Sequence, residues 1–450
     1  MQRITMSMML LATGIAGCYG GIGDEEPGVD DRQSKALIAE VRALAEGRAI
    51  QRLAPPPAVR PELVELGRAL AFDKVLSGNH DISCMTCHLP ELATGDGRSL
   101  SIGQGALGLG LEREHPSAAF IPRNAPPLFN LHAMDSLFWD GRVFETPNGV
   151  VTPGGAHVTD EMQAVFEFGA VSAIGLFPVM SREEMRGVAG TNELSAYADN
   201  DFTSVWSSLM DRLGDYPEYV DMFEAAYPGT DFDDMTFAHA SNAIGGFFVS
   251  ELAFTETPWD QFLDGDDQAL SQPQLRGAKN FLSARCSICH GGDALTDGGF
   301  HNVALAQFGP GHNQGRDDFG FENTSGNAAD RYKFRSTPLR NVELTAPYGH
   351  AGQFVDLFDF VDHYSESDIK LHEYDVSQLE PLLRGTVIDN VDEVLAHRDP
   401  LLDGVVFPKS VLADVTTFMT ALTDDDARDL ADIAPAGVPS GLPVDVLPAD

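Results

Sequence analysis

One short pattern occurs twice in this chain: two cysteines separated by two residues, with a histidine directly after the second. The copies span Cys84–His88 and Cys286–His290. Two thiols one helical turn apart can form thioethers to both vinyl groups of a porphyrin, and the adjacent imidazole then reaches the iron. Paired zinc motifs lie closer together, and a redox-active CxxC needs a βαβ context that neither site shows. The pattern therefore predicts two covalent haem c groups. Their attachment and proximal residues are Cys84, Cys87, His88, Cys286, Cys289 and His290.

Length and charge narrow the class of protein. A chain of 450 residues can hold two domains, each with its own core. The formal charge of -39 argues against nucleic acid, because phosphates select basic surfaces. A strongly acidic surface is compatible with a basic redox partner that is steered by a long-range field. We therefore expect no nucleic-acid partner.

The N-terminal segment 1–17 has an early Arg3, an apolar run and then small residues, which is typical of a secretion signal. It leads into Cys18 in a context that resembles the bacterial lipobox, so we predict lipidation at Cys18. An ordinary signal peptide with an incidental thiol is the alternative. Residues 18–34 are rich in Gly and Asp and predict a flexible lipoprotein tether. Together these features predict an exported, periplasmic or outer-membrane lipoprotein.

Apolar periodicity predicts a mainly α fold with few strands. The predicted helices cover 35–52, 61–72, 233–256, 353–364 and 409–423. The Gly-rich segments 143–170 and 305–335 predict loops, and the Pro-rich tail 434–450 predicts poor order. The segment Leu66–Phe72 before the first motif recurs as Leu275–Phe281 before the second, which indicates two copies of one helical haem module. We predict two cytochrome c-like domains, an N-terminal one at 35–256 and a C-terminal one at 257–433.

Further stretches resemble the bacterial di-haem cytochrome c peroxidases, a family that includes the MauG-like enzymes that oxidise protein residues. The matching segments are Leu76–His88, Pro122–Pro126, Phe138–Arg142, Phe177–Met185, Cys286–His290 and Pro338–His350. The resemblance implies that the N-terminal haem meets hydrogen peroxide and the C-terminal haem relays electrons. It implies a cytochrome-c peroxidase fed by a soluble cytochrome c or a small copper protein. Oxidation of a protein partner is one alternative, and a non-catalytic electron-transfer cytochrome is another.

Gln104 departs from the family pattern. Relatives often place a histidine sixth ligand here, in the context that reads Ser101–Gly105 in this chain. A glutamine amide is a poor iron ligand, so the resemblance implies an open haem at His88 in every oxidation state. Such an enzyme would need no reductive activation. Coordination by His80 or His115 is the alternative.

Glu184 matches the family's distal glutamate, which would move the proton that peroxide cleavage requires. Spacing alone favours another interpretation, in which Ser181 caps a helix that Glu184 begins. The family's distal glutamine is replaced by Ile174, so proton delivery would depend more on Glu184. Trp139 matches the tryptophan that lies between the haems and helps electrons pass, a role compatible with burial in a core.

The resemblance also suggests a ligand for the second iron. Tyr364 stands where some relatives carry methionine and MauG-like members carry tyrosine. It predicts ligation by His290 and Tyr364, with the neighbouring His363 as the alternative. The family further holds a calcium ion between its domains through oxygen atoms. The corresponding residues here are Asn124, Thr345 and Pro347.

Overall fold

The computed structural model describes residues 31–116, 119–313 and 316–448. The predicted signal peptide, Cys18 and the tether up to residue 30 lie outside these ranges. The described chain is mainly helical, as predicted. The α-helices are α1 (Asp31–Gly47), α2 (Pro61–Phe72), α3 (Cys84–Cys87), α4 (Asp160–Gln163), α5 (Phe202–Gly214), α6 (Pro217–Ala226), α7 (Phe237–Glu251), α8 (Pro258–Leu263), α9 (Gln272–Ser283), α10 (Cys286–Cys289), α11 (Glu322–Ser325), α12 (Leu357–His363), α13 (Ser367–His372), α14 (Pro381–Arg384), α15 (Val391–Ala396) and α16 (Lys409–Thr420).

Strands are few and short. An antiparallel sheet has the order β1 (Ser136–Leu137), β2 (Val143–Thr146) and β3 (Gly149–Val151). A second antiparallel pair joins β4 (Phe300–His301) to β5 (Phe334–Arg335). Among the helices that the structure describes, none has both the length and the apolar character needed to cross a membrane.

Each haem motif follows a helix that crosses a later helix at a glycine. A Cβ atom on Gly67 of α2 would lie 1.9 Å from the carbonyl oxygen of Ala243 on α7. A Cβ atom on Gly277 of α9 would likewise lie 1.9 Å from the carbonyl oxygen of Asp414 on α16. Only glycine allows the two backbones to approach so closely. Each half therefore contains its own helix crossing of the same kind. This close approach explains the glycine in the repeated segment.

The N-terminal helix packs against the second half of the chain. Ile38, Val41 and Ala45 of α1 belong to the core that also contains Trp259 of α8 and Leu275 of α9. The structure differs here from the sequence-based boundaries, which placed residues 35–256 in the first domain. The helix also begins at Asp31, so the last residues of the predicted tether are helical. A helical period shows that one face is buried, but it does not show which core receives that face.

The C-terminal tail does the converse, because it follows the second half of the chain and packs against the first half. The prediction of a poorly ordered tail is wrong for residues 434–448, because Val438, Leu442 and Val444 pack against the first core. Polar contacts add to this packing: Ser440 Oγ donates to Asp73 Oδ1 at 2.7 Å, and Asp445 binds next to the first haem motif. Prolines and a missing period exclude a regular helix, but they do not exclude irregular packing on another surface.

The two predicted loops contain more structure than expected. Residues 143–170 include the β2–β3 hairpin and α4. Residues 305–335 do not form a surface loop throughout, because Phe308, Asp318 and Tyr332 are buried. Asp318 accepts two hydrogen bonds from Arg123, at 2.6 and 2.8 Å, and so ties this segment to the first half of the chain. An internal charge pair of this kind is invisible in composition.

Candidate functional site

The second haem motif opens onto a cavity with about 1840 Å³ of empty space, part of which is open to solvent. Cys286, Cys289 and His290 line it. The two thiols are free, as haem attachment requires. His290 Nδ1 lies 3.3 Å from the carbonyl oxygen of Leu295, and burial lowers the pKa of His290 to about 4. The imidazole is therefore neutral, with Nε2 available to a metal. The space and the donor set fit a haem c.

Two neighbouring side chains differ in their relation to this cavity. Tyr364 directly follows α12 and lines the cavity wall, and burial raises the pKa of its phenol. The adjacent His363 is buried, and its Nε2 lies 2.9 Å from the carbonyl oxygen of Val303. His363 does not contribute to the cavity lining. The geometry therefore favours Tyr364 over His363 as the side chain that faces a bound haem.

The first haem motif forms the short helix α3. Ser83 and Thr86 cap its start reciprocally, which orients the cysteines. His88 Nδ1 lies 2.9 Å from the carbonyl oxygen of Thr94, and burial lowers the pKa of His88. The same burial raises the pKa of Cys84 to about 12, so this sulfur is a thiol rather than a thiolate. This site thus repeats the arrangement of the second one.

Sequence reasoning did not identify the residues that orient the two proximal histidines. Thr94 and Leu295 each supply a backbone carbonyl, and each has a left-handed backbone, with φ of 62° and 56°. A carbonyl acceptor fixes the tautomer that leaves Nε2 free. Because a backbone carbonyl can come from any residue type, the only signal in the sequence is a similar distance after the two histidines.

Two predicted distal residues lie side by side. The backbone N–H of Gln104 donates to the carbonyl oxygens of Glu183 and Glu184, at 3.2 and 3.1 Å. Gly103 makes this contact possible, since a Cβ atom there would lie 1.8 Å from the carbonyl oxygen of Glu183. The side-chain oxygen of Gln104 accepts from Asn79 Nδ2 at 2.6 Å. The Gln104 side-chain amide is therefore held in place by another side chain of the same protein.

Glu184 lies in a single π-helical turn, Arg182–Arg186, whose first N–H groups are capped by Ser181. Ser181 Oγ accepts from the backbone N–H of Glu184 at 3.2 Å, so Ser181 caps this turn as the spacing predicts. Burial raises the pKa of Glu184, and the positive charge of Arg142 opposes that rise. Burial raises the pKa of both attachment thiols, Cys84 and Cys87, and the charge of Glu184 adds a smaller contribution.

Arg142 is a residue whose role the sequence analysis did not assign. Its guanidinium lies 3.9 Å from the centroid of the Phe138 ring and 3.4 Å from Asp140. It occupies the last position of the segment Phe138–Arg142 that also holds Trp139. The Arg142 side chain therefore packs on Phe138, pairs with Asp140 and lowers the pKa of Glu184.

The alternative histidine ligands occupy different surroundings. His80 has an exposed side chain whose ring is partly covered, and this partial burial together with the charge of Arg212 lowers its pKa. His115 is half-buried and lies beside Gly105, where a Cβ atom would be 3.0 Å from His115 Nε2. The residues on both sides of His80 also contact this segment, because Asn79 donates to the Gln104 side chain at 2.6 Å and Asp81 accepts from the backbone N–H of Gly105 at 2.6 Å.

The predicted inter-haem residues all line the cavity at the second haem motif. Trp139, Asn124, Thr345 and Pro347 all line it. Trp139 Nε1 donates to the backbone carbonyl of Asn124 at 2.9 Å, and Asn124 Nδ2 donates to the carbonyl oxygen of Arg98 at 2.8 Å. The structure therefore brings the predicted tryptophan and the three predicted calcium residues together.

One cluster in the described ranges has the residue types of a metal site. Cys289, Asp297 and His301 place ligand atoms within 4.8 Å of one another. Cys289 is also one of the two attachment thiols of the second motif. We interpret the cluster as the surroundings of that thioether, because a sulfur bonded to a haem vinyl group is a poor zinc ligand.

Comparisons with known proteins agree with the geometry. The sequence model of the family "Di-haem cytochrome c peroxidase" matches residues 61–268. Cytochrome c551 peroxidase of Pseudomonas aeruginosa is 32% identical over 306 residues, which are 66% of this chain and 70% of that protein. Methylamine utilization protein MauG of Methylorubrum extorquens is 28% identical over 305 residues, 68% of this chain and 69% of that protein. The crystal structure of a MauG-like protein associated with microbial copper homeostasis aligns with a TM-score of 0.59 at 25% identity and covers 86% of this chain and 96% of that chain.

Proposed function

Because the chain belongs to the di-haem cytochrome c peroxidase family, we propose that it reduces hydrogen peroxide to water at the iron bound by His88. An external donor would supply two electrons through the haem held by Cys286, Cys289 and His290, and two protons would be consumed with each peroxide. The observation that carries this proposal is the position of Glu184 beside Gln104, whose backbone N–H donates to the Glu184 carbonyl oxygen at 3.1 Å. The haem iron, when bound, supplies the redox chemistry.

Glu184 moves the proton in this scheme. Its carboxylate would accept a proton from one peroxide oxygen and return it to the other, which would leave as water. Burial raises the pKa of the carboxyl above that of an ordinary glutamate, so its carboxylate is a stronger proton acceptor than an exposed one. Gln104 and Ile174 cannot exchange protons in this way.

A pH profile of Glu184→Gln tests this role. In the native enzyme kcat/KM falls as the pH is lowered through the pKa of Glu184, because the protonated carboxyl cannot accept the peroxide proton. The variant should lose about 10²- to 10⁴-fold in kcat/KM, together with that acidic limb. Glu218→Gln is the control, because Glu218 is an exposed carboxylate of α6 outside the Glu184 segment, and its loss should leave both unchanged. A Glu184→Gln enzyme with native kcat/KM would rule out the assignment.

Gln104 sets the resting state of the first site. Its side-chain oxygen is bonded to Asn79, which supports an open coordination position and activity without prior reduction. The test is the electron paramagnetic resonance spectrum of the ferric protein before and after peroxide is added. We expect one high-spin and one low-spin signal, both lost with peroxide. Two low-spin signals that do not respond would contradict the proposal and favour a reductively activated peroxidase or a plain electron carrier.

Within this proposal the second site relays electrons. We assign His290 and Tyr364 as the residues that would hold its iron, and Trp139 as the residue that would help electrons pass between the two sites. A calcium ion held by oxygen atoms of Asn124, Thr345 and Pro347 would fix the wall that Trp139 shares with them. The donor is a soluble cytochrome c or a small copper protein, and the acidic chain suits a basic surface on that donor.

A second candidate function is oxidation of residues on a protein partner, as in the MauG-like enzymes. The observation that favours it is Tyr364, because an anionic oxygen ligand stabilises iron in high oxidation states. Turnover of peroxide with reduced cytochrome c, compared with mass spectrometry of a protein partner that gains oxygen or a cross-link, separates the two functions. Rapid oxidation of the cytochrome without a modified protein would reject the second one.

We further propose that the protein is exported and anchored to a membrane through Cys18. The apolar segment before Cys18 and the attachment of haem c outside the bacterial cytoplasm support this location. Labelled palmitate should be incorporated by the full-length chain and not by Cys18→Ser. Equal incorporation by both chains would contradict the anchor.

A further inference from the structure

A haem c carries two propionate carboxylates on the porphyrin edge opposite the vinyl groups that bind cysteine. Each carboxylate that enters a protein interior needs a cation or strong hydrogen-bond donors, because an unpaired buried charge is very costly. The basic side chains in the second haem cavity are therefore candidates for this role. They are Arg285, His301, Arg335 and Arg340, because His290 is the predicted iron ligand and burial lowers the pKa of His350 to about 3, which leaves that ring neutral.

Two of these side chains are fully occupied by carboxylates of the protein. Arg340 Nη2 lies 2.8 Å from Asp260 Oδ1, and both side chains are completely buried. The two ring nitrogens of His301 lie 2.6 Å from Asp399 and 2.9 Å from Asp297. The positive charge of each group is therefore already balanced by carboxylates of the protein.

Arg285 is a weak candidate for a different reason. Its Nη1 donates to the backbone carbonyls of Leu401 and Asp403, each at 2.9 Å, on an exposed part of the cavity rim. Water can solvate its guanidinium there, so the protein does not need a second anion to compensate it.

Arg335 is different from the other three. Its side chain is buried, with 6% of the residue exposed, and Nη1 has no hydrogen-bond partner among the residues that the structure describes. No acidic side chain of the described chain pairs with it. Burial without a counter-charge lowers the pKa of Arg335 to about 10. A buried guanidinium of this kind lacks an anion.

The rest of Arg335 is firmly fixed. Its backbone N–H donates to the carbonyl oxygen of Trp139 at 2.9 Å, and Nε donates to that of Phe138 at 3.0 Å. Phe138 has a left-handed backbone, with φ of 65°, and the two bonds hold this strained residue in place. Arg335 thus joins the Trp139 segment to the cavity wall, and Nη1 remains available to a ligand in the cavity.

We propose that Arg335 binds a propionate carboxylate of the haem attached at Cys286 and Cys289. This contact supplies the missing anion and links the cofactor to the backbone of Trp139. A positive charge beside the haem favours the ferrous over the ferric state, so Arg335 also raises the reduction potential of the second haem. The inference rests on haem attachment at the second motif and not on peroxide reduction, so the two proposals can fail separately.

The test is a potentiometric titration of the haem-loaded protein with Arg335→Met, Arg335→Lys and a control. Arg335→Met should increase the ferric-to-ferrous ratio of the second haem at a fixed potential by about tenfold or more, a fall in midpoint potential of at least about 59 mV. Arg335→Lys keeps the charge and should retain most of the native potential. Arg276→Met removes an exposed arginine that pairs with Asp414 on the surface, and it should leave the potential unchanged.

A native midpoint potential in Arg335→Met would overturn the proposal. If that variant does not retain haem, resonance Raman spectra of the native protein and Arg335→Lys decide instead. The propionate bending frequency of the second haem should shift, because an ammonium cannot reproduce the donor geometry of a guanidinium. An identical frequency in the two proteins would show that Arg335 does not bind the propionate.

Discussion

Replacing Asp445 by alanine tests how the C-terminal tail contributes to the first haem domain. Asp445 Oδ2 accepts a hydrogen bond from Thr86 Oγ1 at 2.6 Å, inside the first haem motif. Its other oxygen lies 2.6 Å from Lys74 Nζ. The side chains of Lys74 and Asp445 are only 13% and 11% exposed, so this ion pair is largely shielded from water. The variant removes the anion and leaves both partners in place.

The contacts allow an approximate magnitude. Removing one partner of a buried ion pair costs about 3 to 5 kcal/mol, because the other charge stays buried. Lys74 keeps a little exposure, which places the loss near the lower limit, at about 3 kcal/mol. In a domain of this size each 1 kcal/mol corresponds to roughly 2 to 4 °C in Tm. The unfolding transition of the first domain should therefore fall by roughly 6 to 12 °C.

Differential scanning calorimetry of the haem-loaded protein measures this shift. Asp432→Ala is the matched control, because Asp432 is an exposed carboxylate just before the tail, and its loss should change the free energy of unfolding by less than about 0.5 kcal/mol. A transition of Asp445→Ala that coincides with that of the control would refute the reasoning. The tail would then contribute nothing to the domain it contacts.

Three further predictions concern the helix crossing, the ion and the second haem. Gly277→Ala should destabilise the second domain by about 1 to 3 kcal/mol in denaturant titrations, because the added methyl overlaps a carbonyl of α16, whereas Gly47→Ala has open space and should not. Elemental analysis should find one calcium per native chain, and Asn124→Ala should lose it. Tyr364→Phe should abolish the low-spin ferric signal of the second haem, whereas His363→Ala should preserve it. An unchanged stability, metal content or spectrum would contradict the respective assignment.

The sequence sufficed to predict the repeated module because the signals are local. The CxxCH pattern fixes a helical turn, and the segments before Cys84 and Cys286 share a glycine at the position where a second helix crosses. The same locality explains the errors. The apolar face of α1 predicts burial, but the choice between the two cores depends on contacts with α9, far along the chain. The tail gives no periodic signal, and its attachment to Asp73 depends on a single serine.

The candidate sites divide in the same way. Attachment cysteines and proximal histidines follow from a motif, whereas Thr94 and Leu295 act through backbone carbonyls that no residue type encodes. The contact between Gln104 and Glu184 follows from two backbone hydrogen bonds and the missing side chain of Gly103. Residue types at those positions suggested a role, but only the fold shows that they are neighbours.

The crossed termini also bear on how the two haem sites are held together. Helix α1, at the N-terminal end of the described chain, packs into the core of the second half. The C-terminal tail packs against the core of the first half. Separating the domains would therefore unpack both ends as well as the interface pair of Arg123 and Asp318. Each terminus buries its own set of apolar side chains in the opposite half. Packing of the two termini, rather than the short connection between α7 and α8, therefore fixes the relative position of the two haem sites.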